Sequence, residues 1–254
     1  MLAATQRTRH YQRYGWDVRH SQPSEVEDCL HRMEPVDLLD YLKHSERYVD
    51  SKAWSFGRSR LRHSLENSPR TAILSPHFLP GIHSRTFSNP WHPALSRYEP
   101  EVLAGPVDTL RAFAEAMLHG TTWIPPLRYA VIAFTGLLEG PLSFEDRDLF
   151  WRAFGVPTYE QFFGFGGDML AWECQAHAGL HASREAAYFE HSPTGEVLIS
   201  FLANPHYPLL RLASGMISEW HELTCECGSM EPRLVNLHRG TGAGIVESAL
   251  AASV

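Results

Sequence analysis

Lysine is almost missing from this chain, which holds just Lys43 and Lys52 among 254 residues. No basic run compensates, and the formal net charge is −7 with a pI of about 6.1. That balance gives no electrostatic footprint for nucleic acid or an anionic bilayer, so neither is expected as a partner. Long apolar runs are missing too. Nothing approaches the ~20 residues that span a membrane, and the segment from Met1 to His10 lacks the apolar stretch of a secretory signal. Cysteine is scarce, four residues in all, and three of them are clustered, unlike a disulfide framework. The expectation is a reduced, cytoplasmic protein.

What is present is ordinary for a globular chain, with 44% hydrophobic and 20% charged residues and length for one large domain or two small ones. The fifteen histidines are mostly scattered. The exception lies between Trp172 and Arg233. Glu173-Cys174-Gln-Ala-His177-Ala-Gly179-Leu180-His181 is followed some way on by Thr224-Cys225-Glu226-Cys227-Gly228, with a hairpin-like segment between them. Thiolates in C-x-C spacing plus a Cys/His-rich loop supply the soft ligand set of a closed tetrahedral zinc site. The expected ligands are Cys174, His181, Cys225 and Cys227, with His177 as the alternative imidazole. The competing reading is unconnected buried thiols and a surface histidine.

Along the chain, Ser24-Glu-Val-Glu27 reads as a capping box opening a helix through Cys29, and Pro35 as the start of another that buries Val36, Leu38, Leu39 and Leu42. Residues 51–100 are broken by prolines, with Thr71–Leu74 the one strand candidate. Beyond Pro100 the pattern sharpens. A strand and turn at 101–106 is followed by an amphipathic helix from Pro106 to Gly120, then a buried strand at Leu127–Phe134. Ser143-Phe-Glu-Asp146 opens a helix that Gly155 closes, and Pro157–Phe163 reads as a third strand ending in Gly164-Phe-Gly-Gly-Asp168. Strand–helix alternation predicts parallel strands with helical crossovers, hence α/β. Residues 187–190 and 196–201 read as a hairpin, with further strands at 207–212 and 216–220. The glycines after Gly240 lack the Lys-Ser/Thr of a phosphate loop and read as linker.

The ordered series Val102–Leu110, Ala153–Gly155, Tyr159–Gly164, Leu170–Cys174, Gly179-Leu-His181 with Glu190, Tyr207–Arg211 and Cys225-Glu-Cys227-Gly with Pro232-Arg233-Leu234 resembles the phenylacetate–CoA ligase branch of the adenylate-forming (acyl-CoA synthetase-like) family. The similarity covers roughly residues 100–237. It implies a partial adenylate-forming N-terminal-domain core, a zinc-pinned hairpin region and a helical N-terminal extension. The expected divisions are residues 1–100, 101–237 and 238–254. It also implies structural zinc on Cys174, His181, Cys225 and Cys227, favouring His181 over His177.

Family members join a carboxylate to ATP as an acyl-adenylate and pass the acyl group to a thiol such as CoA. That chemistry needs phosphate cradling, a magnesium carboxylate, ribose anchoring and a lysine. Where the family has a Ser/Thr/Gly-rich phosphate loop, 54–60 offers no counterpart. The Tyr-Gly-x-Thr/Ser-Glu motif reads Phe163-Gly-Phe-Gly-Gly167, with Asp168 one position late. The ribose-binding motif reads Leu212-Ala-Ser-Gly-Met216, and a thioether cannot accept those hydrogen bonds. The C-terminal lysine domain has no counterpart in the seventeen residues after Leu237.

The expectation is a truncated ligase-like protein that binds or transforms a carboxylic acid or acyl thioester without adenylating it. The remaining polar candidates are Asp168, set at a strand's C-terminal end or merely forming a turn, and Arg211, facing a ligand carboxylate or pairing with Glu190. Glu173 reads as a neighbour of the zinc ligands or a surface residue. The alternative function is an accessory subunit that docks on a full-length ligase or carrier protein through Trp54, Phe56, Phe87 and Trp91. Whether residues 1–100 complete a pocket or form a homodimer interface stays open.

Overall fold

The structure, a computed structural model, describes residues 8–14, 28, 30–49, 61, 69–76, 78, 80–203 and 208–240. The capping box at 24–27, Cys29, the 54–60 segment with its two aromatics, Tyr207 and the chain beyond Gly240 lie outside these residues. Two compact units form: Met1–Gly57 with Ala182–His221 and Leu234–Val254, and Arg58–His181 with Glu222–Arg233.

The chain starts in the first unit with α1 (Arg9–Gln12), β1 (Val36–Asp37) and α2 (Leu38–Lys43). The helix expected from Pro35 begins at Leu38 because Val36 is taken up in parallel pairing with Leu212, leaving Asp37 to cap. The Asp37 carboxylate accepts from Asp40 N at 2.8 Å, satisfying one orphan amide of the first turn. The buried face is Leu38 and Tyr41, with Leu39 and Leu42 half-buried.

The second unit follows with β2 (Thr71–Ile73), β3 (Ser84–Thr86), α3 (Ala94–Tyr98), β4 (Val102–Pro106), α4 (Val107–Leu118), β5 (Ala130–Gly136), α5 (Phe144–Phe154) and β6 (Thr158–Phe163). The proline-punctuated stretch therefore holds two strands and a short helix. β3, β2, β4, β5 and β6 pair in that order, all parallel, as the strand–helix alternation predicts. β4 runs straight into α4 without the expected turn. Alternation within β4 assigns its sides. Leu103 joins Leu110, Phe113, Phe150 and Phe154 under the helices, whereas Val102 and Ala104 join Ile132, Phe134 and Phe163 on the opposite face. β5 is buried at every position, as a central parallel strand covered on both faces must be.

α5 shows the capping chemistry expected of it. Asp146 N donates to Ser143 Oγ at 3.0 Å, and that hydroxyl donates to Asp146 Oδ2 at 2.8 Å. Arg111 of α4 reaches across to the same carboxylate, Nε to Oδ1 at 2.8 Å. Gly155 ends the helix at φ +69°, a conformation that glycine adopts without steric penalty. Ser143→Ala is expected to cost about 1 kcal/mol of stability, read as a lower denaturant midpoint with unchanged m-value.

β7 (Met169–Glu173) folds back antiparallel on β6 across the glycine turn, and β8 (Leu180–Ala182) follows. The first unit resumes with β9 (Ala187–His191), β10 (Glu196–Phe201) and β11 (Leu212–His221), an antiparallel meander that includes the expected hairpin, and β12 (Arg233–Arg239) borders β11. The strand expected from residue 207 starts only at Leu212, because Arg211 sits at φ +51°, outside strand geometry. Among the described residues no helix is long and apolar enough to cross a membrane.

Candidate metal centre and its acidic neighbour

The chain leaves the second unit after His181 and re-enters it at Glu222. The clustered cysteines sit on these two crossings. Gly179, at φ +103°, precedes β8 and His181, while Gly228, at φ +84°, closes a turn in which its N–H donates to Cys225 O at 2.9 Å. Buried Arg233 ties both segments, donating to Ala178 O at 3.0 Å and to Leu223 O at 3.4 Å. The outcome is convergence of Cys174, His181, Cys225 and Cys227, whose ligand atoms all lie within 4.8 Å of one another.

Cys174 Sγ is 3.7 Å from Cys225 Sγ, and Cys227 Sγ is 3.4 Å from His181 Nε2. The sulfur separation is far beyond a disulfide bond of about 2.05 Å. His181 Nδ1 lies 3.3 Å from Glu231 O. A carbonyl only accepts, so that bond places the proton on Nδ1 and turns the Nε2 lone pair toward the sulfurs. Trp172 stacks on the imidazole at 4.8 Å between centroids. Burial pushes the Cys174 thiol up to about 12, whereas at Cys225 burial is outweighed by Cys227 and Cys174 contacts and the net shift is downward. A neutral Cys174 thiol beside a Cys225 thiol that ionises more readily belongs to a set that a divalent cation completes by displacing protons. The cluster can hold a metal ion.

His177 is not part of it. It sits at φ +49°, and its Nδ1 donates to Glu173 Oε1 at 2.9 Å, with its ring stacked on Tyr159 at 4.9 Å and 7°. Glu173, read from sequence as a surface residue or a neighbour of the metal ligands, is buried and carries a network of its own. Its Oε2 accepts from Glu160 N at 2.9 Å and Arg147 Nη2 at 3.0 Å. Glu160 is buried as well, accepting from Thr135 Oγ1 at 2.6 Å and Leu142 N at 3.0 Å, with Arg147 Nη2 at 3.6 Å. Burial raises the Glu160 carboxyl above its ordinary range. One guanidinium therefore serves two buried carboxylates. The sequence carried a signal of this, an acid set among the apolar and aromatic residues of 158–163.

Asp168 is half-buried in the second unit, where its carbonyl accepts from Gly164 N at 2.9 Å and closes the β6–β7 turn. Arg211 belongs to the first unit. Its Nε is 3.3 Å from Glu190 Oε2, and Nη1 donates to His31 O at 3.0 Å and also to Met33 O. Of the aromatics expected at an accessory interface, Phe87 is buried at 3% exposure whereas Trp91 is 52% exposed. Phe87 is a core residue because it packs beneath α4 with Leu95 and Leu110.

Among solved structures, this arrangement of a parallel sheet with helical crossovers is similar in fold to that of a CoA ligase. The chain matches 2-hydroxyisobutyryl-CoA ligase in an open conformation with 2-HIB-AMP and CoA at a TM-score of 0.64 and 15% identity, covering 93% of this chain and 67% of that one. The same ligase in the thioesterification state matches at 0.64 and 16%, over 93% and 65%. Coronafacic acid ligase from Pectobacterium brasiliense gives 0.44 and 14%, over 71% and 41%. This chain thus spans about two thirds of the first ligase, and at these identities the likeness is one of fold. Neither a comparison with protein-family models nor one with curated proteins gives a match.

Proposed function

We propose that this chain is a ligase-like protein of the phenylacetate–CoA ligase branch that binds or transforms a carboxylic acid or its acyl thioester, keeps a structural zinc ion and does not adenylate. The observation that carries the reading is the four-ligand cluster, formed within an adenylate-forming fold by the residues that the resemblance implies. A tetrahedron with Zn–S near 2.3 Å and Zn–N near 2.0 Å has edges of roughly 3.8 Å (S···S) and 3.5 Å (S···N). The separations of 3.7 Å and 3.4 Å fit it. Three thiolates and an imidazole close the coordination sphere, so zinc here holds two chain segments together rather than activating water.

The case against adenylation rests on side chains. Met216, in the position of the ribose-binding aspartate, is 1% exposed on β11 and offers a thioether. The turn at 164–167 carries no carboxylate where the family has a magnesium ligand. Asp168 is the polar group nearest that position and is our candidate for contact with the acyl substrate. Arg211, expected as a partner for a ligand carboxylate, is engaged by Glu190 and serves the fold.

Pyrophosphate exchange with ATP and a panel of aryl and short-chain acids is expected to be at background. Exchange above that of a heat-denatured control would overturn the loss of adenylation. An aryl acid or a CoA thioester at a hundred times its Kd is expected to raise the melting temperature by about 5–10 °C. No shift with any acid or thioester would remove the acyl-binding reading.

A further inference from the structure

A second site lies beside the buried acids. A cleft of about 570 Å³ is lined by Phe144, Arg147, Asp148 and Trp151 of α5, with Glu173 and His177 also in its wall. That volume suits a small organic ligand. Its rim is unusual. Phe144 is 79% exposed and Trp151 58%, two large rings on one side of α5 with Asp148 between them. Spacings of four and three residues set all three on one helical stripe. Single exposed aromatics need no explanation, but a pair that brackets an acid at the mouth of a cleft is surface built for contact.

The polar groups decide what kind of ligand fits. Arg147, the cation in the wall, is occupied by Glu173 at 3.0 Å and Glu160 at 3.6 Å. An anionic ligand would have to compete with two carboxylates already in place. A hydrogen-bond donor meets open acceptors instead. Asp148 has one oxygen, Oδ2, beside Arg152 at 2.9 Å, and its Oδ1 has no partner among the described residues. His177 uses Nδ1 on Glu173, and its Nε2 has no partner among them either. The Tyr159 stack and the Glu173 bond hold that imidazole in place before any ligand arrives.

We propose that this cleft binds a small aromatic amine as its ammonium ion, the ring lying against Trp151 and Phe144 and the ammonium donating to Asp148 and His177. Indole is the best aromatic face for a cation, and the carboxylate beside it adds a charge-assisted hydrogen bond. The site has the opposite charge preference to the acid or thioester proposed above and does not depend on that reading.

Calorimetric titration and saturation-transfer NMR on the full chain with 2-phenylethylamine, 3-phenylpropionate and butylamine test it. The expected result is a Kd below about 1 mM for 2-phenylethylamine, at least tenfold tighter than either of the others. Trp151→Ala and Asp148→Asn, both at exposed positions, should each weaken it about tenfold or more while leaving the melting temperature unchanged. Equal affinity for the three probes, tighter binding of 3-phenylpropionate, or no binding at about 10 mM would overturn the proposal. So would unchanged affinity in both variants.

Discussion

Replacing Cys225 with serine is expected to lower the melting temperature by more than about 10 °C, or to leave the chain unable to accumulate as folded protein. Judged only as a buried side chain, the substitution would be mild. Serine is close to isosteric with cysteine, and a buried hydroxyl with a partner costs on the order of 1–2 kcal/mol. At about 2–4 °C per kcal/mol for a chain of this size, that is a modest shift. The larger expectation comes from the metal. Binding free energy at a thiolate-rich zinc site is about 10–16 kcal/mol in small domains and counts as folding energy, since the unfolded chain has no such site. Cys174 and Cys225 lie 51 residues apart in sequence, so an ion held by both would close the long loop between them. A hydroxyl in place of one thiolate loses most of that contribution.

Two measurements check it. Elemental analysis of freshly purified protein should give close to one zinc per chain. A chelator should then lower the melting temperature of the parent protein, with recovery on adding zinc, while leaving Cys225→Ser where it was. Less than about half an equivalent of metal, or a parent protein indifferent to chelation, would sink the zinc assignment.

How much of this was legible in the sequence depended on whether the information was local. β5 is seven residues of small, β-branched and aromatic side chains, and its burial on both faces follows from that run. α5 carries both its start at Ser143 and its stop at Gly155. The four converging residues were legible in the Cys/His clustering, which put His181 first with His177 in reserve, and the resemblance favoured His181 again. Physically, the choice turns on Glu173, which holds His177 away from the sulfurs, and on Glu231, whose carbonyl orients His181 toward them. Nothing local announces such bonds. The same limit hid the helix start at Leu38. Val36 is drawn into pairing by Leu212, 176 residues away, and this outweighs the preference of Pro35 for a first helical turn. The strand at 71–73 was legible as the one candidate in its stretch, whereas the strand at 84–86 escaped because it is three residues long and is held by pairing with β2, not by its own pattern.

The Arg147–Glu160–Glu173 network supports the second large prediction. Arg147→Ala is expected to destabilise the protein by about 3–5 kcal/mol near pH 7. Little of that would be the loss of attraction itself, since a buried ion pair nearly cancels its own desolvation cost. The cost arises because two carboxylates, 4% and 5% exposed, remain in the interior without their shared cation. Glu160 is the sensitive one, because burial already raises its pKa and the guanidinium is among the groups that pull it back. In the variant the folded-state value rises further above the unfolded one. Stability from a group shifted in that direction is present in full below the unfolded pKa and lost as pH rises through the folded one. The deficit relative to the parent protein should therefore be largest near pH 7 and shrink toward pH 5.

A second substitution separates this account from simple loss of packing. Glu160→Gln in the Arg147→Ala background removes the stranded charge, keeps the shape and preserves an oxygen for the Leu142 amide. It is expected to restore about half of the lost stability and to flatten the pH dependence. If denaturant unfolding shows the double variant no more stable than Arg147→Ala, with the same slope against pH, the cost lies in the missing side-chain volume and the electrostatic reading of the network fails.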